Sequence, residues 1–333
     1  PQAYHRLPEL VGEAALGKRP VDTDMPAISK FDFMPARRRS APSAFLTVQE
    51  GCDKFCTYCV VPYTRGAEIG RPMRDIMTEA DALLGAGARE IVLLGQNVNA
   101  WREDGRGLAD LIRALARIDG LYRIRYTTSH PADMTDDLIA AHCDVEKLMP
   151  YLHLPVQSGS DRVLKSMNRS HSAESYLRTI EKVRLARPDI AISGDFIVGF
   201  PGETDSEFEE TLNIVDAVGY ASAYSFKYSP RPGTPAAAME DQIERDVMDE
   251  RLQRLQERIN LHQLGFNRSK IGCDTQILIE RAGRQEGQKI GKSPWLQSVH
   301  IETTSRPGEI VDVTLTSAGP RSMTGAMREL VAT

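Results

Sequence analysis

The chain has 333 residues, of which 41% are hydrophobic and 26% charged, and a formal net charge of -5. That length exceeds what a single hydrophobic core usually serves, so one large and one small domain are expected. The acidic balance excludes wholesale electrostatic coating of a polyanion, and any nucleic-acid contact has to be local.

Residues 1–43 carry scattered prolines and little periodicity, the composition of a linker or an extended arm. Its basic run Arg37-Arg38-Arg39 reads as a solvated stretch, with a phosphate contact as the alternative. The chain opens on Pro1 rather than Met, so this stretch is expected to be the tail of something longer. No apolar run approaches the roughly 20 residues that span a bilayer, and no charged-then-apolar leader opens the chain. A cytoplasmic protein without membrane contact is expected.

From Ala44 short apolar runs alternate with amphipathic segments. Strands are predicted at Ala44–Val48, Glu90–Gly95, Arg123–Thr128, Tyr151–Val156, Ile190–Val198 and Ala223–Tyr228. Between them, Leu108, Leu111, Ile112, Leu115 and Ile118 recur at helical spacing. Ser172 is placed to cap a helix through Tyr176, Leu177, Ile180 and Val183, and Thr204 with Glu207 forms a capping box before Phe208, Leu212 and Val215. Six strands alternating with helices imply parallel strands with right-handed crossovers, an α/β fold that is either an open sheet or a partial barrel. In both, chemistry sits beyond the C-terminal ends of the strands. Polar residues gather there: Gln96, Asn97, Ser129, His130, Gln157 and Ser158.

A long helix is predicted over Met239–Asn267, with Ile243, Val247, Leu252, Leu255 and Ile259 on one stripe. After Gly272 the pattern turns to short β-type runs, Thr275–Ile279, Leu296–Ile301 and Ile310–Leu315, which suggest a small all-β barrel. The expected division is 1–37 as linker, 38–268 as the α/β core and 270–333 as the small β module.

The five cysteines argue against a disulfide framework, being odd in number in a chain without a secretory leader. Cys143 and Cys273 stand alone and read as small buried hydrophobes. Cys52, Cys56 and Cys59 instead form a C-x3-C-x2-C cluster directly after the first strand. Structural zinc takes four protein ligands, whereas a 4Fe-4S cubane held by three cysteines leaves one iron open. Spacing alone leaves iron–sulfur, zinc and no metal as alternatives.

The three-cysteine spacing, with an aromatic before the last Cys, resembles the radical S-adenosylmethionine (SAM) superfamily. Longer strings narrow the likeness: Gln49 through Cys59, on to Val60-Val61-Pro62-Tyr63-Thr64-Arg65-Gly66, then Leu93 to Asn99, Tyr126 to Pro131, Leu152 to Ser160 and Asp195 to Thr204. Jointly they resemble the methylthiotransferases, most closely the MiaB branch, and the final 60-odd residues look like a TRAM domain. The resemblance implies a partial (β/α)6 radical SAM barrel followed by a small all-β TRAM barrel. It implies a 4Fe-4S cluster on Cys52, Cys56 and Cys59, SAM bound to the open iron, and reductive cleavage of SAM to a 5′-deoxyadenosyl radical. It further implies methylthiolation of carbon 2 of an isopentenylated adenosine beside the anticodon in tRNA, with a second SAM as methyl donor. A second 4Fe-4S cluster is expected in an N-terminal domain preceding Pro1, and a reductant such as flavodoxin or ferredoxin as partner of a monomer. The sister branch, which modifies an aspartate of a ribosomal protein, is the nearest alternative; a zinc-stapled RNA-binding module without catalysis is a more distant one.

Candidate SAM contacts are Tyr58, Gln157, Ser158, Arg169, Asp195, Gly199 and Glu203. His130 is a candidate for the same opening. Lys289, Lys292, Trp295 and Arg321 are candidate RNA contacts, joining positive charge to a stacking surface.

Overall fold

Burial alternates along the first strand, β1 (Ser43–Thr47): Ala44 and Leu46 are buried and Phe45 between them is exposed. That period of two gives each strand a helix-facing side and an opposite side. The computed structural model describes residues 6–22 and 41–328. β1, β2 (Glu90–Leu94) and β3 (Arg123–Tyr126) pair in parallel, as do β4 (Tyr151–His153), β5 (Ala191–Val198) and β6 (Ser222–Lys227). A single parallel bridge between Ile124 and Leu148 joins the two sheets, so the six strands follow one another in chain order.

Parallel neighbours need crossovers, and five helices supply them: α1 (Met73–Gly85), α2 (Leu108–Leu115), α3 (Asp136–Asp144), α4 (Ala173–Ala186) and α5 (Asp205–Val218). Their apolar faces join Ala44, Leu46, Ile91, Leu93, Ile192 and Phe196 in one core. Caps fix where the helices begin. Ser172 Oγ accepts the Ser175 N–H at 3.1 Å. Thr204 Oγ1 accepts the Glu207 N–H at 3.3 Å, while the Glu207 carboxylate accepts the Thr204 N–H at 2.8 Å.

The long helix, α6 (Arg245–Ser269), starts later than its apolar stripe suggests. Pro235–Ala238 forms a 3-10 turn, and the Gln242 amide donates to the carbonyls of Ala236 and Met239, tying the intervening residues into a non-helical path. Leu7–Ala15 differs in the other direction. Where a linker was expected it is a helix, with proline in its first turn and an Arg6–Glu9 ion pair at its start, and none of its residues is buried. The run Arg37-Arg38-Arg39 lies outside the described residues.

Beyond α6, five strands close into a barrel of order β7-β8-β9-β11-β10: β7 (Asp274–Ala282), β8 (Gln288–Lys292), β9 (Ser298–Glu302), β10 (Ile310–Ala318) and β11 (Ser322–Met327). Ile277, Ile279, Val299, Ile301, Val313, Leu315 and Met323 fill it. β8 and β11 escaped the sequence reading because glycine interrupts both. Closure requires it: a Cβ on Gly291 would lie 2.4 Å from the Leu278 carbonyl oxygen, and one on Gly325 3.2 Å from Val313.

The barrel seats against the N-terminal ends of the parallel strands. Trp295 and Leu296, between β8 and β9, pack with Phe266 of α6 against the cluster of Tyr151, Ala191 and Ala221. Arg123 donates to the carbonyls of Lys292 and Gln276, at 2.7 and 2.8 Å. Arg125 donates to those of Pro294 and Ser293, at 2.8 and 2.9 Å, and pairs with buried Glu90 at 2.8 Å. Burial opposes the charge on Glu90, yet Arg125 and the Ser43 hydroxyl hold its carboxyl below the ordinary range.

Candidate functional site

The cysteine loop leaves the C-terminal end of β1 through Gly51, whose φ is +74° and whose Cβ, were there one, would overlap the Ala67 carbonyl oxygen at 1.9 Å. Glycine is therefore required at this turn. Gln49 fixes the loop to the next strand end: its amide donates to the Glu50 and Gly51 carbonyls, and its oxygen accepts the N–H groups of Gln96 and Asn97. Gln96 returns the contact by accepting the Gly51 N–H at 2.9 Å.

On the far side, the segment after Asp161–Ser166 grips the same loop. Thr57 donates to the carbonyls of Met167 and Ser166, and Asn168 donates to those of Lys54 and Phe55. Both Phe55 (φ +48°) and Asn168 (φ +58°) adopt the left-handed conformation, a strain these bonds hold in place. Arg169 follows directly. Its guanidinium donates to Cys56 Sγ at 3.8 Å and to the Pro155 carbonyl at 2.6 Å.

Burial pushes the Cys52 thiol up to about 11 and raises Cys59 as well. Both are thus protonated at neutral pH in the metal-free loop, and metal binding there must release protons. Among the described residues, no three His, Cys, Asp or Glu side chains converge on one ion. A cubane held by three cysteines binds each thiolate to a different iron and leaves the fourth iron open.

Around the loop lies a set of buried polar atoms without hydrogen-bond partners: Arg169 Nε, His130 Nε2, His171 Nδ1, Asn97 Oδ1 and Ser129 Oγ. The His130 and His171 rings are 5.9 Å apart, and burial followed by the Arg169 charge pushes them down to about 2 and about 4, so both are neutral. Buried polar atoms left open this way imply a polar ligand in the intact site.

The seven candidate SAM contacts separate. Tyr58 packs on Val163, Met167, Phe200, Tyr228 and Ala236 beside the cysteines, and burial raises its hydroxyl. Gln157 lies four residues beyond β4 with φ +77°, its backbone bonded to Asp195 and Ile197 of β5. Ser158 is fully buried and its hydroxyl is engaged with Thr211 and the Ser160 N–H. Asp195 lies 3.5 Å from His153 on the side of the strands away from the helices. Gly199 and Glu203 turn elsewhere. The Glu203 carboxylate accepts the Gly199 N–H at 2.6 Å and pairs with Arg251 of α6 at 2.9 Å, and a Cβ on Gly199 would strike the Met248 side chain at 2.2 Å. Glu203 Oε2 serves this turn, while its Oε1 is buried without a partner. Asn97, Ser129 and His171 joined the site only in three dimensions, although Asn97 and Ser129 had been marked as polar strand ends.

The RNA candidates divide too. Arg321 lines a groove of about 1050 Å³ on the small barrel together with Arg281, Arg284, Gln288 and His300. Lys289 is half-buried on β8. Lys292 and Trp295 are at the junction: Lys292 donates to Ser298 Oγ, its carbonyl accepts Arg123, and the Lys270 ammonium stands 4.1 Å from the Trp295 ring centroid. Trp295 is half-buried against the cluster of Tyr151, Ala191 and Ala221, so part of its ring packs at the junction where a stacking surface was expected.

Residues 46–215 match the Radical SAM superfamily. The chain is 65% identical over 332 residues to the tRNA-2-methylthio-N(6)-dimethylallyladenosine synthase of Novosphingobium aromaticivorans, covering 98% of this chain and 75% of that protein. It is 64% identical over 337 residues to the synthase of the same name from Erythrobacter litoralis, covering 100% of this chain and 76% of that one. The chain belongs to this radical SAM family. Among solved structures, the radical S-adenosylmethionine methyltransferase TsrM from Kitasatospora setae, with cobalamin and a [4Fe-4S] cluster bound, superposes with a TM-score of 0.50 at 16% identity. That match covers 60% of this chain and 42% of that one, and shares the fold alone. The radical SAM family binds a 4Fe-4S cluster and SAM, and the three-thiol loop with its open polar atoms fits that pair of groups. No helix among the described residues is long and apolar enough to cross a membrane.

Proposed function

We propose that the chain is a tRNA methylthiotransferase that adds a methylthio group to carbon 2 of N(6)-dimethylallyladenosine, also called isopentenyladenosine, beside the anticodon. The observation that carries this reading is the loop of Cys52, Cys56 and Cys59 backed by Arg169, in a chain 65% identical to such a synthase. In this reading the six parallel strands between residues 43 and 227 are those of a partial (β/α)6 radical SAM barrel, and the closed five-stranded barrel over 274–327 is a TRAM domain.

Cys52, Cys56 and Cys59 hold the cluster. When bound, cluster and SAM supply a carbon-centred radical by one-electron cleavage of the sulfonium, the electron coming from a protein such as flavodoxin or ferredoxin. This chain's residues prepare the place for it. Arg169, anchored by Pro155, offers its remaining N–H as a charged donor for a carboxylate and offsets thiolate charge at Cys56. His130, Ser129 and Asn97 present neutral polar atoms to the same space. Tyr58 walls one side with an apolar surface, and the small barrel packs at the opposite end of the strands. Arg281, Arg284 and Arg321 in the groove of the small barrel contact RNA phosphates, with Lys289 nearby.

An anaerobic reaction with SAM, dithionite and an anticodon stem-loop carrying dimethylallyladenosine tests the reading. The expected product is 5′-deoxyadenosine, and methylthiolated adenosine appears in the nuclease digest only when the second 4Fe-4S cluster that the resemblance implies is supplied as the source of sulfur. Modification of a ribosomal-protein aspartate in place of the RNA would overturn it in favour of the sister branch.

A further inference from the structure

The side of the strands turned away from the helices carries an apolar wall that the cluster chemistry does not use. In β1, Ala44 and Leu46 join the helix-packed core, which leaves Phe45 on the opposite side. In β6, Ala223 packs on that core and Lys227 pairs with Asp249 of α6, which places Tyr224 and Phe226 on the opposite side as well. Register agrees: Tyr224 lies beside Asp195, and Phe226 beside Ile197, which packs with Tyr58. Phe45, Tyr224 and Phe226 are 57%, 59% and 52% exposed, although they sit mid-strand in the two outermost strands of the array. A single exposed ring is ordinary, but three facing one lumen are not.

The lumen has a defined floor and a polar side. Below, Arg125, Glu90 and Trp295 fill the N-terminal ends of the strands. Midway, the His153 ring stands 6.2 Å from that of Tyr224, with Ser193 at 3.2 Å and Asp195 at 3.5 Å from its nitrogens. Above lie Tyr58 and the cysteines. A ligand entering past the cysteine loop meets aromatic walls on both outer strands and hydrogen-bonding groups between them.

We propose that Phe45, Tyr224 and Phe226 form the specificity wall for the dimethylallyl group of the substrate adenosine, with His153 and Asp195 facing the polar edge of the base. The proposal rests on the tRNA reading above and deepens it. A branched five-carbon substituent suits rings that are otherwise left in water, and an unmodified adenosine leaves them uncovered. Burial of such a group is large enough for about 10- to 100-fold discrimination.

The test compares two anticodon stem-loops, one with dimethylallyladenosine and one with adenosine, binding to the reconstituted full chain in an anisotropy titration. The unchanged chain favours the prenylated RNA about 10-fold or more. Phe226→Ser and Phe45→Ser each reduce that preference several-fold while affinity for the unmodified RNA stays level, and Phe226→Leu retains it. An unaltered preference in the serine variants overturns this inference and leaves the tRNA reading standing. Equal loss for both RNAs also overturns it, because the rings then support the fold or general RNA binding. No RNA binding by the unchanged chain overturns both readings.

Discussion

Both ends of the parallel strands hold buried polar groups and treat them in opposite ways. At the N-terminal end, Arg123 and Arg125 donate to four carbonyls of the small barrel, and Arg125 also pairs with Glu90. At the C-terminal end, Arg169, His130, His171, Asn97 and Ser129 each keep a buried polar atom open. A satisfied buried network specifies structure, while an open one costs stability unless a ligand completes it. The difference locates structural work at one end and chemistry at the other, the division expected of parallel α/β folds. Trp295 Nε1 and Asn267 Oδ1, where α6 meets the small barrel, are exceptions at the structural end, each buried without a partner.

The sharpest contrast comes from removing one thiol. Cys56→Ala should abolish cluster incorporation and 5′-deoxyadenosine formation while shifting the thermal midpoint little. A large loss of stability with residual SAM cleavage would place Cys56 on the structural side.

Next in size is the other end. Arg125→Ala strands a buried Glu90 carboxylate and should cost about 3–5 kcal/mol in urea unfolding. Replacing both partners, as in Glu90→Gln with Arg125→Met, should cost less than the single change. Equal losses would mean that packing, rather than the unpaired charge, dominates there.

Trp295→Ala should cost about 2–3 kcal/mol, less than a fully buried tryptophan because the ring is half-buried. It should leave RNA affinity level, whereas Arg284→Ala should weaken it and reduce the salt slope by about one counterion. Loss of RNA affinity in Trp295→Ala, measured at a temperature where the variant is folded, would return that ring to the RNA surface.

A smaller effect follows from pH. His142 is fully buried, with its Nε2 2.7 Å from the Tyr126 hydroxyl, and burial followed by the Arg187 charge pushes it down to about 3. The folded chain keeps it neutral, while the unfolded chain protonates it near its ordinary value of about 6.5. Its contribution is therefore complete above about pH 6.5 and is lost by about 1.4 kcal/mol per pH unit as pH falls. Unfolding free energy should drop between pH 7 and 5, and His142→Gln should make that slope shallower. His130 and His171 are lowered in the same direction, so the slope diminishes without vanishing. An unchanged slope in His142→Gln would contradict the neutral assignment.

The sequence made one end far more legible than the other. The six parallel strands and their helices announce themselves through apolar runs, capping boxes at Ser172 and Thr204, and polar strand ends. The cysteine loop was readable because its three ligands fall within eight consecutive positions. Arg169 was nominated from resemblance, but its anchoring by Pro155 depends on segments 14 residues apart meeting in space. The junction was invisible. Arg123 and Arg125 read as ordinary strand residues, and their partners are carbonyls more than 150 positions away, which no local pattern encodes. The packing of Trp295 was hidden for the same reason: a ring beside lysines suggests stacking on RNA, and its contact with the cluster of Tyr151, Ala191 and Ala221 joins segments far apart in the chain. For Gly199 and Glu203 the glycine turn was readable, but the packing of Met248 and Arg251 of α6 against it was not, since those partners lie more than 45 positions away.

The most direct test of the division between the two ends is metal and sulfide analysis of the chain after anaerobic reconstitution. The account predicts iron and acid-labile sulfide in equal amounts, both lost in Cys56→Ala. About one zinc per chain and no iron would contradict it.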